Sequence, residues 1–173
     1  AIIVSLVGSE MCIRDSTHVI GEGLLYGKDP AARLRAAVAS INAEHGDADF
    51  VVLTGDMTHW GDAAAYARFT PEIKKLNMPV HLMVGNHDDT AAFGEAFPET
   101  PRDDNGFVQS GFDTPFGRFL LLDTKDPETH AGAYCPARLA WLQRELDQTD
   151  GPIVLFMHHP PFKTGIASMD RIM

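Results

Sequence analysis

Four short apolar runs punctuate the chain, at residues 50–53, 80–84, 119–122 and 153–157. They are rich in Val, Leu, Ile and Phe and continuous rather than alternating, so they predict strands covered on both faces, as in a sheet flanked by other layers. Helical spacing fills the intervals. Asp29 stands as a cap, Pro30 at the first helical position, and Leu34, Ala37, Val38 and Ile41 recur on one face, which predicts a helix over 30–44. Residues 62–69 and 71–76 predict a second helical region broken or kinked at Pro71. A third is predicted over 136–146, with Leu139, Leu142 and Leu146 on one side and these leucines and Trp141 in the core. Loops rich in Pro, Gly and Asp separate these units, and no repeat or low-complexity tract interrupts them. The class is α/β.

Composition fits one globular domain: 173 residues, 45% hydrophobic and 22% charged. A chain of this size buries about 70% of its unfolded surface, enough for a core without disulfides. Its two cysteines, Cys12 and Cys135, are far apart in sequence, which fits a reducing compartment; a cytoplasmic location is expected. No apolar run approaches a membrane span, and no basic region followed by an apolar core opens the chain, so no membrane partner is expected. With 14 Lys and Arg against 24 Asp and Glu, the net charge is −10. A surface this acidic is poor for gripping a nucleic-acid polymer by counterion release. An anionic substrate would therefore need bound cations or a focused local site, and eight histidines make the first plausible.

Potential ligands follow three of the four runs. Thr54-Gly55-Asp56 comes after the first, Gly85-Asn86-His87-Asp88 after the second and His158-His159-Pro160-Pro161 after the fourth. Sites in open α/β sheets form outside the carboxyl ends of strands, so these endings would converge on one crevice if the strands were parallel neighbours. Gly55 and Gly85 each precede a ligand type, where a tight backbone lets a short side chain point into that crevice. Carboxylate, amide oxygen and imidazole without thiolate suit Mn, Fe, Zn or Co rather than a structural zinc site. Two such ions could generate a hydroxide and stabilise the attacking and leaving oxygens of a displacement at phosphorus.

These residues, in this order and preceded by Thr17-His18, resemble the calcineurin-like metallophosphoesterases, and within them the bacterial class III cyclic-nucleotide phosphodiesterases and glycerophosphodiesterases. Leu25-Tyr26-Gly27, the doubled Asp88-Asp89 and Met169-Asp170 add to the likeness, which covers 17–173. The resemblance implies an αββα sandwich of two mixed sheets flanked by helices. It makes His18 a ligand of one metal, Asp56 the bridging carboxylate, and Asn86 and His158 ligands of the second metal. His87 becomes a non-ligand histidine at the phosphate, catalytic and substrate-binding, that stabilises the transition state or protonates the leaving oxygen. The implied activity is hydrolysis of a small phosphodiester, a cyclic nucleotide or glycerophosphodiester, by a metal-activated hydroxide in a binuclear centre.

Two departures qualify that expectation. The family's first motif is Asp-x-His, and Ser16 stands two before His18. Asp15 would substitute only across a bulge, because neighbouring side chains in a strand face opposite ways. Residues 1–16 lack the smooth apolar strand expected there and are expected to be a non-native leader, with 17–173 a C-terminally truncated domain. The family's Gly-His-x-His motif does not occur before Met173. At most one metal is then expected to bind well, at the second position, and exposed apolar surface would favour a homo-oligomer. The alternative function is a catalytically impaired domain that folds and holds at most one ion. His159 is expected to pack beside the site or orient it, His59 and Trp60 to line a pocket or cap the core, and Tyr26 to be a hydrogen-bonded core tyrosine, with substrate contact as its alternative. His45, His81 and His130 are assigned to surface or core.

Overall fold

The computed structural model describes residues 11–14, 16–167 and 170. Asp15 and Met169, to which the sequence reading gave a possible ligand and a family signature, lie outside them. The chain divides into two compact units, one built on the residues up to Leu82 with His87–Thr100, the other on Met83–Asn86 with Pro101 onward.

In the first unit, strands β1 (Met11–Arg14), β2 (Phe50–Leu53) and β3 (Val80–Leu82) form a parallel sheet in the order β1-β2-β3. Strand β2 is central and all four of its residues are buried, which is why it reads as an unbroken apolar run. Helix α1 (Pro30–Glu44) has the predicted limits, with the Asp29 carboxylate accepting from the Ala31 amide. Its Ile41 packs with Ala48, Val51 and Met78. Helix α2 (Ala63–Ile73) runs through Pro71 instead of breaking there; the proline falls in the last turn, so the amide bond it cannot make is lost near the helix end. Helix α3 (Thr90–Ala96) was not predicted, and Asp89 caps it by accepting from the Ala92 amide at 2.8 Å.

The second unit carries a mixed sheet, β4-β5-β6. Strands β4 (Ser110–Thr114) and β5 (Gly117–Leu122) form an antiparallel hairpin, and β6 (Ile153–Met157) lies parallel to β5. Leu120 and Leu122 pack with Trp141 of helix α4 (Pro136–Asp147). Two leucines predicted for this core are exposed, Leu139 by 55% and Leu146 by 37%. Arg138 takes the inward place with two of its three guanidinium nitrogens partnered: they donate to the carbonyls of Ala133 and Lys125, at 2.6 and 2.8 Å, while Nε is buried without a partner and the group lies 4.2 Å over the Phe107 ring. Asp123 is 3.8 Å from it, and burial still pushes that carboxyl up against the pull of Arg138.

Strands β2 and β3 are the parallel neighbours the sequence reading required, whereas β6 belongs to the other sheet. The condition for three strand ends in one sheet is met for two of them. No helix among the described residues is long and apolar enough to cross a membrane.

Candidate metal centre and active site

The two chain segments leaving β1 and β2 run side by side in left-handed turns. Ser16 and His18 have φ of 48° and 47°, Gly55 and Asp56 of 106° and 49°. For non-glycine residues this backbone is strained and persists where surrounding bonds hold it. Here the His18 amide donates to the Asp56 carbonyl and the Val19 amide to the Met57 carbonyl, each at 2.9 Å, while the Thr17 hydroxyl donates to the Met57 carbonyl at 2.8 Å. The ladder brings the two side chains together: His18 Nε2 lies 3.6 Å from Asp56 Oδ2. The other carboxylate oxygen of Asp56 accepts from the His87 amide at 3.0 Å. His18, Asp56 and His87, all expected at the site, are thus assembled in the first unit.

Two residues there were not expected in these roles. Asp88 is 1% exposed, and its carboxylate accepts from the amides of Met57 and Thr58 and from the hydroxyls of Thr58 and Tyr66. It pins the backbone just beyond Asp56. His59, read as a pocket wall or cap, is buried, with its Nδ1 3.3 Å from that of His18 and its ring stacked 4.9 Å from that of His87. Burial, and next the neighbouring His87, hold the His59 imidazole below its ordinary pKa, against the pull of Asp56. Its carbonyl oxygen can only accept, so His87 Nδ1 donates to it, at 2.8 Å, and Nε2 lies outside that bond. The available signals were Thr58-His59 one residue beyond Gly55-Asp56 and the carboxylate directly after Asn86-His87. Tyr26 is exposed by 87%, so it is not the core tyrosine considered above, and Trp60 is exposed by 70%.

The second unit pairs the other two expected ligands. Asn86 Oδ1 and His158 Nε2 are 3.0 Å apart, the separation of two adjacent ligands each about 2.1 Å from one octahedral ion. The Asn86 amide also donates to His130 Nδ1 at 3.0 Å, a contact the sequence reading did not foresee. His159 is 3% exposed and bonded to Thr124 at 2.8 Å. Its amide donates to the same hydroxyl, which fixes the segment that carries His158. The donor types of both units, imidazole, carboxylate and amide oxygen, fit a divalent ion of the Mn, Fe, Zn or Co group.

A family profile described as calcineurin-like phosphoesterase matches residues 17–171. The chain belongs to that family, whose members use divalent metal ions. A Rhodopseudomonas palustris protein named "Probable cyclic nucleotide phosphodiesterase" is 46% identical over 161 residues, covering 90% of this chain and 59% of its own length. An Arcobacter nitrofigilis protein named "Probable glycerophosphodiester phosphodiesterase GpdQ" is 33% identical over 159 residues, covering 89% of this chain and 58% of its own. The chain spans about three-fifths of the length of these curated relatives. Among solved structures, a Thermus thermophilus protein, TT1561, is similar with a TM-score of 0.55 at 19% identity, over 90% of this chain and 70% of that one. A purple acid phosphatase from yellow lupin seeds reaches the same TM-score at 15% identity, over 81% and 28%. These likenesses show the metallophosphoesterase fold.

Proposed function

We propose that the chain carries the catalytic residues of a metal-dependent phosphodiesterase acting on a small substrate, a cyclic nucleotide or a glycerophosphodiester, in the cytoplasm. The observation that carries the reading is the strained pairing of His18 with Asp56, held by backbone bonds and by the buried Asp88. His18 and Asp56 would hold one ion in the first unit, and Asn86 and His158 an ion in the second. Bound ions supply a nucleophile at neutral pH and offset phosphate charge. That charge compensation is what lets a protein of net charge −10 accept an anion.

His87 is the proton donor to the leaving oxygen. Its Nδ1 proton is committed to the His59 carbonyl, which orients the ring and leaves Nε2 to carry the proton that moves. The stacked His59 ring shields one face of the imidazole from water.

The test is hydrolysis of bis(p-nitrophenyl) phosphate by chain stripped with a chelator and reloaded with manganese, compared with p-nitrophenyl phosphate, cyclic AMP and glycerophosphoethanolamine. Diester turnover that disappears on chelation and returns with manganese supports the reading; turnover indifferent to metal, or confined to the monoester, removes it. One observation favours a second reading, a domain that folds and holds a single ion without turning substrate over: Ser16 occupies the place of the family's first carboxylate. One tightly held manganese per chain and no diester hydrolysis would select it.

A further inference from the structure

Three histidines of the first unit cluster with their ring nitrogens together. One ligand nitrogen from each of His18, His59 and His87 lies within 4.8 Å of the other two. Four-coordinate zinc, with Zn–N of about 2.0–2.1 Å, spaces its ligand nitrogens about 3.3–3.4 Å apart. The Nδ1 atoms of His18 and His59 already stand at 3.3 Å. The rings meet edge-on, His18 against His59 at 5.2 Å and against His87 at 4.8 Å between centroids. Orientation adds an independent observation. A histidine that binds metal through one ring nitrogen nearly always donates the other N–H to a carbonyl or carboxylate, and His87 makes that bond to the His59 carbonyl.

We propose that His18, His59 and His87 bind one divalent ion of the zinc class through nitrogen, with the fourth tetrahedral position open, and that filling this site inhibits the chain. Three imidazoles without a carboxylate select zinc, cobalt, nickel or copper over manganese and magnesium, which prefer oxygen. Occupancy takes His87 Nε2 out of proton transfer and commits His18 through Nδ1, the nitrogen that faces His59 rather than Asp56. Manganese then supports turnover and excess zinc opposes it. The binding claim stands on the three histidines alone, while the inhibitory claim rests on the function proposed above.

The experiment titrates the metal-free full chain with cobalt and records the visible spectrum. Four-coordinate cobalt gives intense bands that six-coordinate cobalt lacks. The expected result is one such ion per chain, displaced by zinc, with affinity at least about ten-fold lower in His59→Ala and in the more conservative His59→Gln, and unchanged in His45→Ala. Far-UV circular dichroism confirms that each variant is folded. Wild-type bands and affinity in folded His59→Gln would overturn the site, as would only weak six-coordinate bands in the wild type. Zinc added to manganese-loaded wild-type chain is expected to lower turnover over the range in which it displaces cobalt; zinc that binds there without lowering turnover would overturn the inhibitory claim. Absence of any manganese-dependent turnover removes the proposed function and leaves the cobalt spectrum to decide the site.

Discussion

The phenol of Tyr66 donates a hydrogen bond to the carboxylate of Asp88 at 2.9 Å, joining helix α2 to the segment that leaves Asn86-His87. Burial pushes the Tyr66 phenol well above its ordinary pKa, and the Asp88 charge pushes it further, so the proton stays on the phenol. Hydrogen bonds to charged groups contribute roughly 1.5–3 kcal/mol. Tyr66→Phe is therefore expected to lower unfolding stability by about that amount in urea titrations. Asp88→Ala is expected to cost more, because it strands the buried amides of Met57 and Thr58. It should also weaken manganese binding, since those amides fix the turn that presents Asp56. Equal stabilities for Asp88→Ala and wild type would refute the role given to this carboxylate.

His81 supplies a pH dependence away from the metal ligands. It lies on β3 with its ring edge-on to Phe50 at 5.5 Å, and burial holds its pKa below the ordinary 6.5. The fold favours the neutral ring, so its contribution is fully present above about pH 6.5 and is lost as pH falls through the folded value. Urea midpoints are expected to fall from pH 7.5 to pH 5.5, and to fall less in His81→Gln. His59 is shifted in the same direction, so some decline persists in the variant. Identical declines in the two proteins would contradict the assignment.

The role of His87 separates by leaving group. General-acid catalysis contributes about 10²–10⁴-fold, and His87→Gln is expected to lose a factor in that range on cyclic AMP, whose leaving alkoxide must be protonated. On bis(p-nitrophenyl) phosphate the loss should be much smaller, because nitrophenolate departs without a proton. Manganese content should be unchanged. Equal losses on both substrates would assign His87 to transition-state stabilisation instead.

Strand β2 and helix α1 were legible because burial on both faces, or a proline and a cap, leaves a local signature; β6 was found from its apolar run although the cover expected on both faces is missing at the exposed Leu155. Strand β4 was not: Ser-Gly-Phe-Asp-Thr has low strand propensity, and its place is set by the tight hairpin with β5. Strand β1 was discounted because its segment reads as interrupted, and pairing with β2 supplies what propensity does not. Helix α3 carried a cap signal at Asp89 but has Gly94 inside it. The expected ligands were legible because they follow strand ends. The neighbours that hold them were not, since Asp88 and His59 reach their partners through turns whose positive φ values no hydrophobic pattern encodes.

Asp56 carries the central claim, as the carboxylate proposed to hold an ion with His18 and the side chain that its strained turn presents. Asp56→Asn suits that left-handed backbone, since asparagine tolerates it. The decisive measurement is manganese content and bis(p-nitrophenyl) phosphate turnover on the same samples of wild type and Asp56→Asn, with folding verified. Bound metal and turnover are expected to be lost together. A variant that keeps wild-type turnover, or one that loses turnover while retaining its full manganese content, would contradict the reading of Asp56 as a metal ligand.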